Sequence, residues 1–98
     1  MIVVRNVFQL KFGKASEAVE LWRKGKPLIE KSSQASVRVL TDVTGQFYTL
    51  VLEMEFKSMA DFERGHRSTA GSAAWRGWYK KFSALVQSGH REIFQVVD

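Results

Sequence analysis

The sequence predicts an α+β fold, one four-stranded antiparallel sheet with helices on one face, from two observations. Four segments alternate apolar and polar residues with the period of a strand, and two others carry apolar residues at helical spacing. Along the chain they run strand, helix, strand, strand, helix, strand. A strand-helix-strand crossover is right-handed almost without exception, so two of them joined by a hairpin give the ferredoxin-like βαββαβ arrangement. No linker, repeat or low-complexity stretch interrupts it, so residues 1–98 read as one domain.

Residues 2–12, IVVRNVFQLKF, send Ile2, Val4, Asn6, Phe8, Leu10 and Phe12 to one side and Val3, Arg5, Val7, Gln9 and Lys11 to the other. In GKASEAVELWRKGKPLIEK, Ala15, Ala18, Val19, Trp22 and Ile29 form a helical stripe from about Lys14, and Pro27 is expected to kink or restart the last turns. SVRVLTDVT and QFYTLVLEMEF alternate again, with Thr44-Gly45-Gln46 as a hairpin signal between them. Ser58 stands as an N-cap before MADFERGHR, with Asp61 supporting the first turn. The helical signal weakens over residues 68–72, which predicts a break. It returns from Ala73 to Val86, where Trp75, Trp78, Tyr79, Phe82, Leu85 and Val86 share roughly a third of the circumference. Ser88-Gly89 then ends the helix, and REIFQVV supplies the last strand.

A chain of 98 residues buries a thin core, so a subunit interface is a useful addition. The absence of cysteine excludes a disulfide framework, a thiolate metal site and cysteine catalysis, and fits a cytoplasmic protein. Met1 leads into IVV without the features of a secretory signal, and no apolar run is long enough to span a bilayer. The net charge of +5 raises a polyanion as partner, yet the basic residues are spread among acidic ones with no basic run.

The face of the sheet away from the helices offers Val3, Arg5, Val7 and Gln9 from the first strand and Phe47, Thr49, Val51, Glu53 and Glu55 from the third. That mixture is too apolar for a solvated surface and too charged for a monomer core. It predicts a homodimer with two sheets face to face, and Arg5 near Glu53 or Glu55 on the neighbouring strand. RNA-recognition domains share this element order but stack bases on open-face aromatics of strands one and three. Here those positions hold Val3, Val7 and only Phe47, which argues against nucleic acid.

The first strand followed by FGKASEAVELW and PLIEK, the hairpin glycine, FKSMADFE and WRGWYKKFSALV resemble NIPSNAP-type members of the dimeric α/β-barrel superfamily over nearly the whole chain. The resemblance implies a ferredoxin-like homodimer, two sheets packed as a dimeric α/β barrel. That superfamily includes cofactor-independent monooxygenases of aromatic polyketides, haem-degrading monooxygenases, isomerases and many proteins without known activity. NIPSNAP-type proteins mostly lack an established reaction, so membership decides little about chemistry.

Asn6 lies among Val4 and Phe8 on the helix-facing side, where an amide must find partners. It reads either as a functional residue or as a structural amide. Haem-degrading relatives of this fold are similar in having an asparagine there. They also use a tryptophan early in the second helix and an iron-ligating histidine further along. From the shared K-S-x-x-x-F start of that helix, Gly65 falls at the tryptophan position and Trp75 at the histidine position, so both partners are missing. His66 is next to the shifted position and could act as a ligand or an acid-base group, or sit at the surface; His90 has less support. No ligand-spaced cluster of histidines and carboxylates supports a metal, and GxSxG, GxxxxGK[ST] and GxGxxG are absent.

Trp75, Trp78, Tyr79 and Phe82 share a face whose first role is core packing. The other role is to wall a cleft between helix and sheet, with Phe8, Trp22, Trp75 and Trp78 as the ligand-binding set and Tyr48 and Asn6 beside them. The leading expectation is a dimeric protein binding a small apolar or aromatic molecule, with no protein-bound cofactor. If it is an enzyme, the resemblance implies a monooxygenase in which Asn6 orients a substrate oxygen and His66 or Tyr48 handles a proton. The alternative is a non-catalytic dimerising or ligand-carrying module, followed by a haem-binding or nucleic-acid-binding protein. Convergence of Asn6, His66 and Tyr48 on one cavity separates the first two.

Overall fold

In the computed structural model, which describes residues 1–98, β-branched and aromatic residues at alternating positions build the strands β1 (Ile2–Leu10), β2 (Val37–Thr41), β3 (Thr49–Phe56) and β4 (Val86–Gln95). Their order in the sheet is β2-β3-β1-β4, and every neighbouring pair is antiparallel. The helices α1 (Ala15–Ser33), α2 (Met59–Ala70) and α3 (Ala73–Ser83) connect them. This is the expected ferredoxin-like βαββαβ fold, with the second helical segment divided in two. No helix is long and apolar enough to cross a membrane.

Alternation assigns the two faces of the sheet. Ile2, Val4 and Leu10 of β1 and Leu50, Leu52, Met54 and Phe56 of β3 are buried with Ala18, Trp22 and Ile29 of α1, Phe62 of α2 and Trp78 and Phe82 of α3. Val39 of β2 lies opposite Leu52, and Asn6 is opposite both Leu52 on β3 and Arg91 on β4. On the open face Arg5 faces Glu53, and its Nε donates to Glu53 Oε1 at 2.9 Å, as the sequence predicts.

The breaks between elements follow local chemistry. The Ser58 side chain accepts from Asp61 N at 3.2 Å, the expected N-cap of α2. The break expected over 68–72 falls at Gly71, and Ser72 caps α3 by accepting from Trp75 N.

Four sequence expectations are corrected. Pro27 does not restart α1, which runs unbroken through Ser33: the ring is exposed, while Trp22 and Ile29 on the buried stripe hold the helix to the core. β1 stops at Leu10, so Phe12 is 78% exposed instead of facing the helices, and its ring packs edge-on against Tyr48 at 4.8 Å. The β2–β3 connection spans residues 42–48 instead of a tight turn at Gly45, with Thr49 N held by the Asp42 carboxylate at 2.9 Å. Finally, α3 ends at Ser83 and Val86 already belongs to β4. Lys11 N donates to Leu85 O at 2.8 Å, which draws the chain onto the sheet edge, and Ser88 and Gly89 pair with Gln9 and Phe8 within the ladder.

Candidate functional site

Helix packing leaves a cavity of about 270 Å³ between the covered face of the sheet and the three helices. Ten of its sixteen lining residues are hydrophobic, the composition of a small-molecule site. Phe8 of β1 and Trp22 of α1 contribute apolar surface, with Phe62 of α2 and Trp75 of α3. Trp75 stacks on Tyr79 at 5.4 Å with an interplanar angle of 15° and lies 5.9 Å from Trp22, so an aromatic wall continues from helix to helix.

Polar groups gather where β1 and β4 pair. Arg91 Nε donates to Asn6 Oδ1 at 2.7 Å, and its guanidinium carbon stands 5.4 Å from the centre of the Phe62 ring. The His66 ring stacks on Phe62 at 5.7 Å and 27°. Desolvation, and secondarily the positive charge of Arg91, hold the His66 pKa below the usual histidine value. Its imidazole is therefore neutral at neutral pH and able to accept a proton. No aspartate or glutamate lines the cavity.

A family model described as NIPSNAP matches residues 4–98. This chain belongs to the NIPSNAP family. No curated protein matches its sequence. Among solved structures it is similar to a NIPSNAP family protein from Agrobacterium tumefaciens, with 18% identity, TM-score 0.92, and coverage of 99% of this chain and 86% of that one. An uncharacterized NIPSNAP domain protein from Burkholderia xenovorans has 14% identity and TM-score 0.91, over 99% and 95% of the two chains. The cofactor-independent oxygenase SnoaB from Streptomyces nogalater, in a mutant form, has 11% identity and TM-score 0.74, over 99% and 93%. At these identities the likeness is one of fold.

The NIPSNAP fold brings five of the seven sequence-selected residues to one cavity: Asn6, His66, Phe8, Trp22 and Trp75. Tyr48 is not among the lining residues. It precedes β3 in a left-handed conformation, φ 57°, with its ring against Phe12 and Phe47. Trp78 is also outside the lining and serves the core. Its indole donates to Leu21 O at 2.8 Å, and Gly25 of α1 lies so close to its ring that any side chain there would overlap it.

Gly65, at the position where haem-degrading relatives of the fold carry tryptophan, sits where α2 meets the end of α1. A Cβ there would be 3.0 Å from Ser33 O and 3.2 Å from the Phe56 ring, so any side chain requires α1 or Phe56 to shift. Arg91 is the residue that sequence reasoning missed. The signal was present, since a fourth strand beside β1 places an alternate residue of REIFQVV next to Asn6, but it required the register of β4.

Proposed function

We propose that this NIPSNAP protein binds a small, largely apolar aromatic molecule in the cavity between helices and sheet. The observation that carries the reading is the cavity itself: apolar rings from all three helices and β1, with Asn6, His66 and Arg91 grouped at one side. Its volume of about 270 Å³ is just under the usual range for ligand pockets, roughly 300–1,000 Å³, which favours a bicyclic ligand over a larger one. Ala70 lines the cavity and is exposed, so Ala70→Trp fills the space from its rim without entering the core. In calorimetric titration with neutral 2-naphthamide, the wild type binds, and Ala70→Trp loses binding with an unchanged melting temperature. Equal binding by both, or by neither, overturns the reading.

The open face supports a homodimer. Arg38, Glu53, Arg5 and Glu92 form a row of alternating charge across all four strands, flanked by Leu40, Val51, Val7, Val3 and Phe94. A second copy covers both the apolar flanks and the charge row, which a rotated partner complements. Light scattering at micromolar concentration gives twice 11.2 kDa on this account, and a monomer contradicts it.

A second reading adds chemistry to the same cavity and is favoured by one observation, that Asn6 and the neutral His66 share it. The shared fold with a cofactor-independent oxygenase supports oxygenation of an activated methylene. His66 takes a proton from the methylene, and Asn6 donates its amide N–H to the enolate oxygen formed. Dioxygen then oxidises the substrate carbanion: one oxygen atom becomes the new carbonyl and the other leaves as water with the two methylene hydrogens. Turnover under ¹⁸O₂ incorporates one labelled atom, and His66→Ala loses it while retaining ligand binding. Label drawn from water, or undiminished turnover in the variant, contradicts this reading.

A further inference from the structure

The cavity is lined by one permanently charged side chain, Arg91, and by no carboxylate. Arg91 gives only its Nε to Asn6, and its two terminal nitrogens have no hydrogen-bond or ion-pair partner in the chain. Because Asn6 Oδ1 accepts from Arg91, the amide's Nδ2 is a free donor beside that guanidinium. The cavity thus presents unpaired donors around one fixed positive charge, and no carboxylate lines it to answer them.

We propose that the ligand carries an anionic oxygen, a carboxylate or an ionised enol, at one end of its aromatic body, held by Arg91 and the Asn6 amide. This assignment rests on the cavity reading above and gives the substrate its charge. The geometry fits anion capture better than a structural ion pair. The bond to Asn6 and the contact with Phe62 hold the guanidinium in place while leaving its planar fork of N–H groups free, and that fork matches a two-oxygen acceptor. His66, whose pKa is lowered by desolvation and then by the Arg91 charge, adds no competing charge, and Tyr79 and His90 complete the titratable groups of the lining.

The test compares isosteres by calorimetric titration: 2-naphthoate against 2-naphthamide, and ionised 2-hydroxy-1,4-naphthoquinone against its methyl ether. The wild type is expected to prefer the anion of at least one pair by about tenfold, the scale of one charge-assisted hydrogen bond. The pair that shows the preference identifies carboxylate or enolate as the source. Arg91→Met is expected to remove the preference, so that the anion of the pair binds no more tightly than its neutral partner. In a second variant, Asn6→Asp, a carboxylate beside Arg91 occupies the guanidinium internally and also removes it. If the neutral partners bind as tightly as the anions, or the preference survives both substitutions, the charge assignment is overturned and the cavity stands. If no member of either pair binds, the cavity reading falls and this assignment falls with it.

Discussion

On the helix-covered face of the sheet Val4, Leu50 and Leu52 are at most 1% exposed, whereas the one buried residue on the open face is a carboxylate, Glu53, at 7%. The two faces come from alternate residues of the same strands, yet they solve opposite problems. The covered face buries apolar area and keeps its polar groups at the β1–β4 edge of one cavity. The open face buries a charge by surrounding it: Arg5 and Arg38 both bond to Glu53 and hold its pKa below the usual carboxylate range, the bond from Arg38 being the largest cause. An ion pair packed this way on an otherwise uncovered sheet costs desolvation that an ordinary surface pair avoids.

Substitutions on the two sides should therefore fail differently, and the largest effect lies in the covered core. Phe82 is completely buried, with Phe8 at 5.0 Å and Trp22 at 5.2 Å between ring centres. Phe82→Ala should cost about 3–5 kcal/mol in urea unfolding, and a loss under about 1 kcal/mol would show that the aromatic stack is not the core.

Gly25→Ala comes next and turns on sign. Helix propensity alone favours alanine by about 1 kcal/mol, but overlap with Trp78 predicts a net loss of about 1–3 kcal/mol. A stabilised variant would mean that α1 and α3 do not cross so closely.

The open face is probed by acid. With its pKa lowered in the folded state, Glu53 contributes stability that is present above the pKa of an unfolded carboxylate and lost as pH falls through the folded value. Glu53→Gln should thus lower stability at neutral pH and flatten the acid limb of the stability curve. Parallel curves for the two proteins would contradict the pairing with Arg5 and Arg38.

The smallest effect belongs to the cavity. Arg91→Met removes one of the two causes that lower the His66 pKa, so an NMR titration of His66 should move upward toward the ordinary histidine value. An unchanged or lower value would separate the two residues.

The sequence read the fold well because alternation and helical stripes are local signals. The Arg5–Glu53 pair was legible in advance, since it follows from strand alternation once β1 and β3 are neighbours. The end of α3 was not, because AlaLeuVal at 84–86 continues a helical stripe, whereas the chain turns at 84–85, with Leu85 O bonded to Lys11 N, and enters β4 at Val86. The site was legible in part. Asn6 stood out as a polar residue on an apolar face, but its partner is 85 positions away and depends on the register of β4. Tyr48 was drawn to the cleft by alternation continued back from β3; its left-handed backbone sends it elsewhere, and no residue pattern in QFYTL announces that conformation.

The central claim, a ligand in the helix-to-sheet cavity, is tested most directly by the three indole N–H resonances of a ¹⁵N-labelled protein titrated with 2-naphthamide. Trp22 and Trp75 line the cavity, and the Trp22 N–H is unpaired; Trp78 is outside it, with its N–H bonded to Leu21 O. The account predicts saturable shifts for Trp22 and Trp75 that clearly exceed that of Trp78. Unmoved Trp22 and Trp75 resonances, with any shifts confined to residues of the open face or to Phe12 and Phe47, would contradict it.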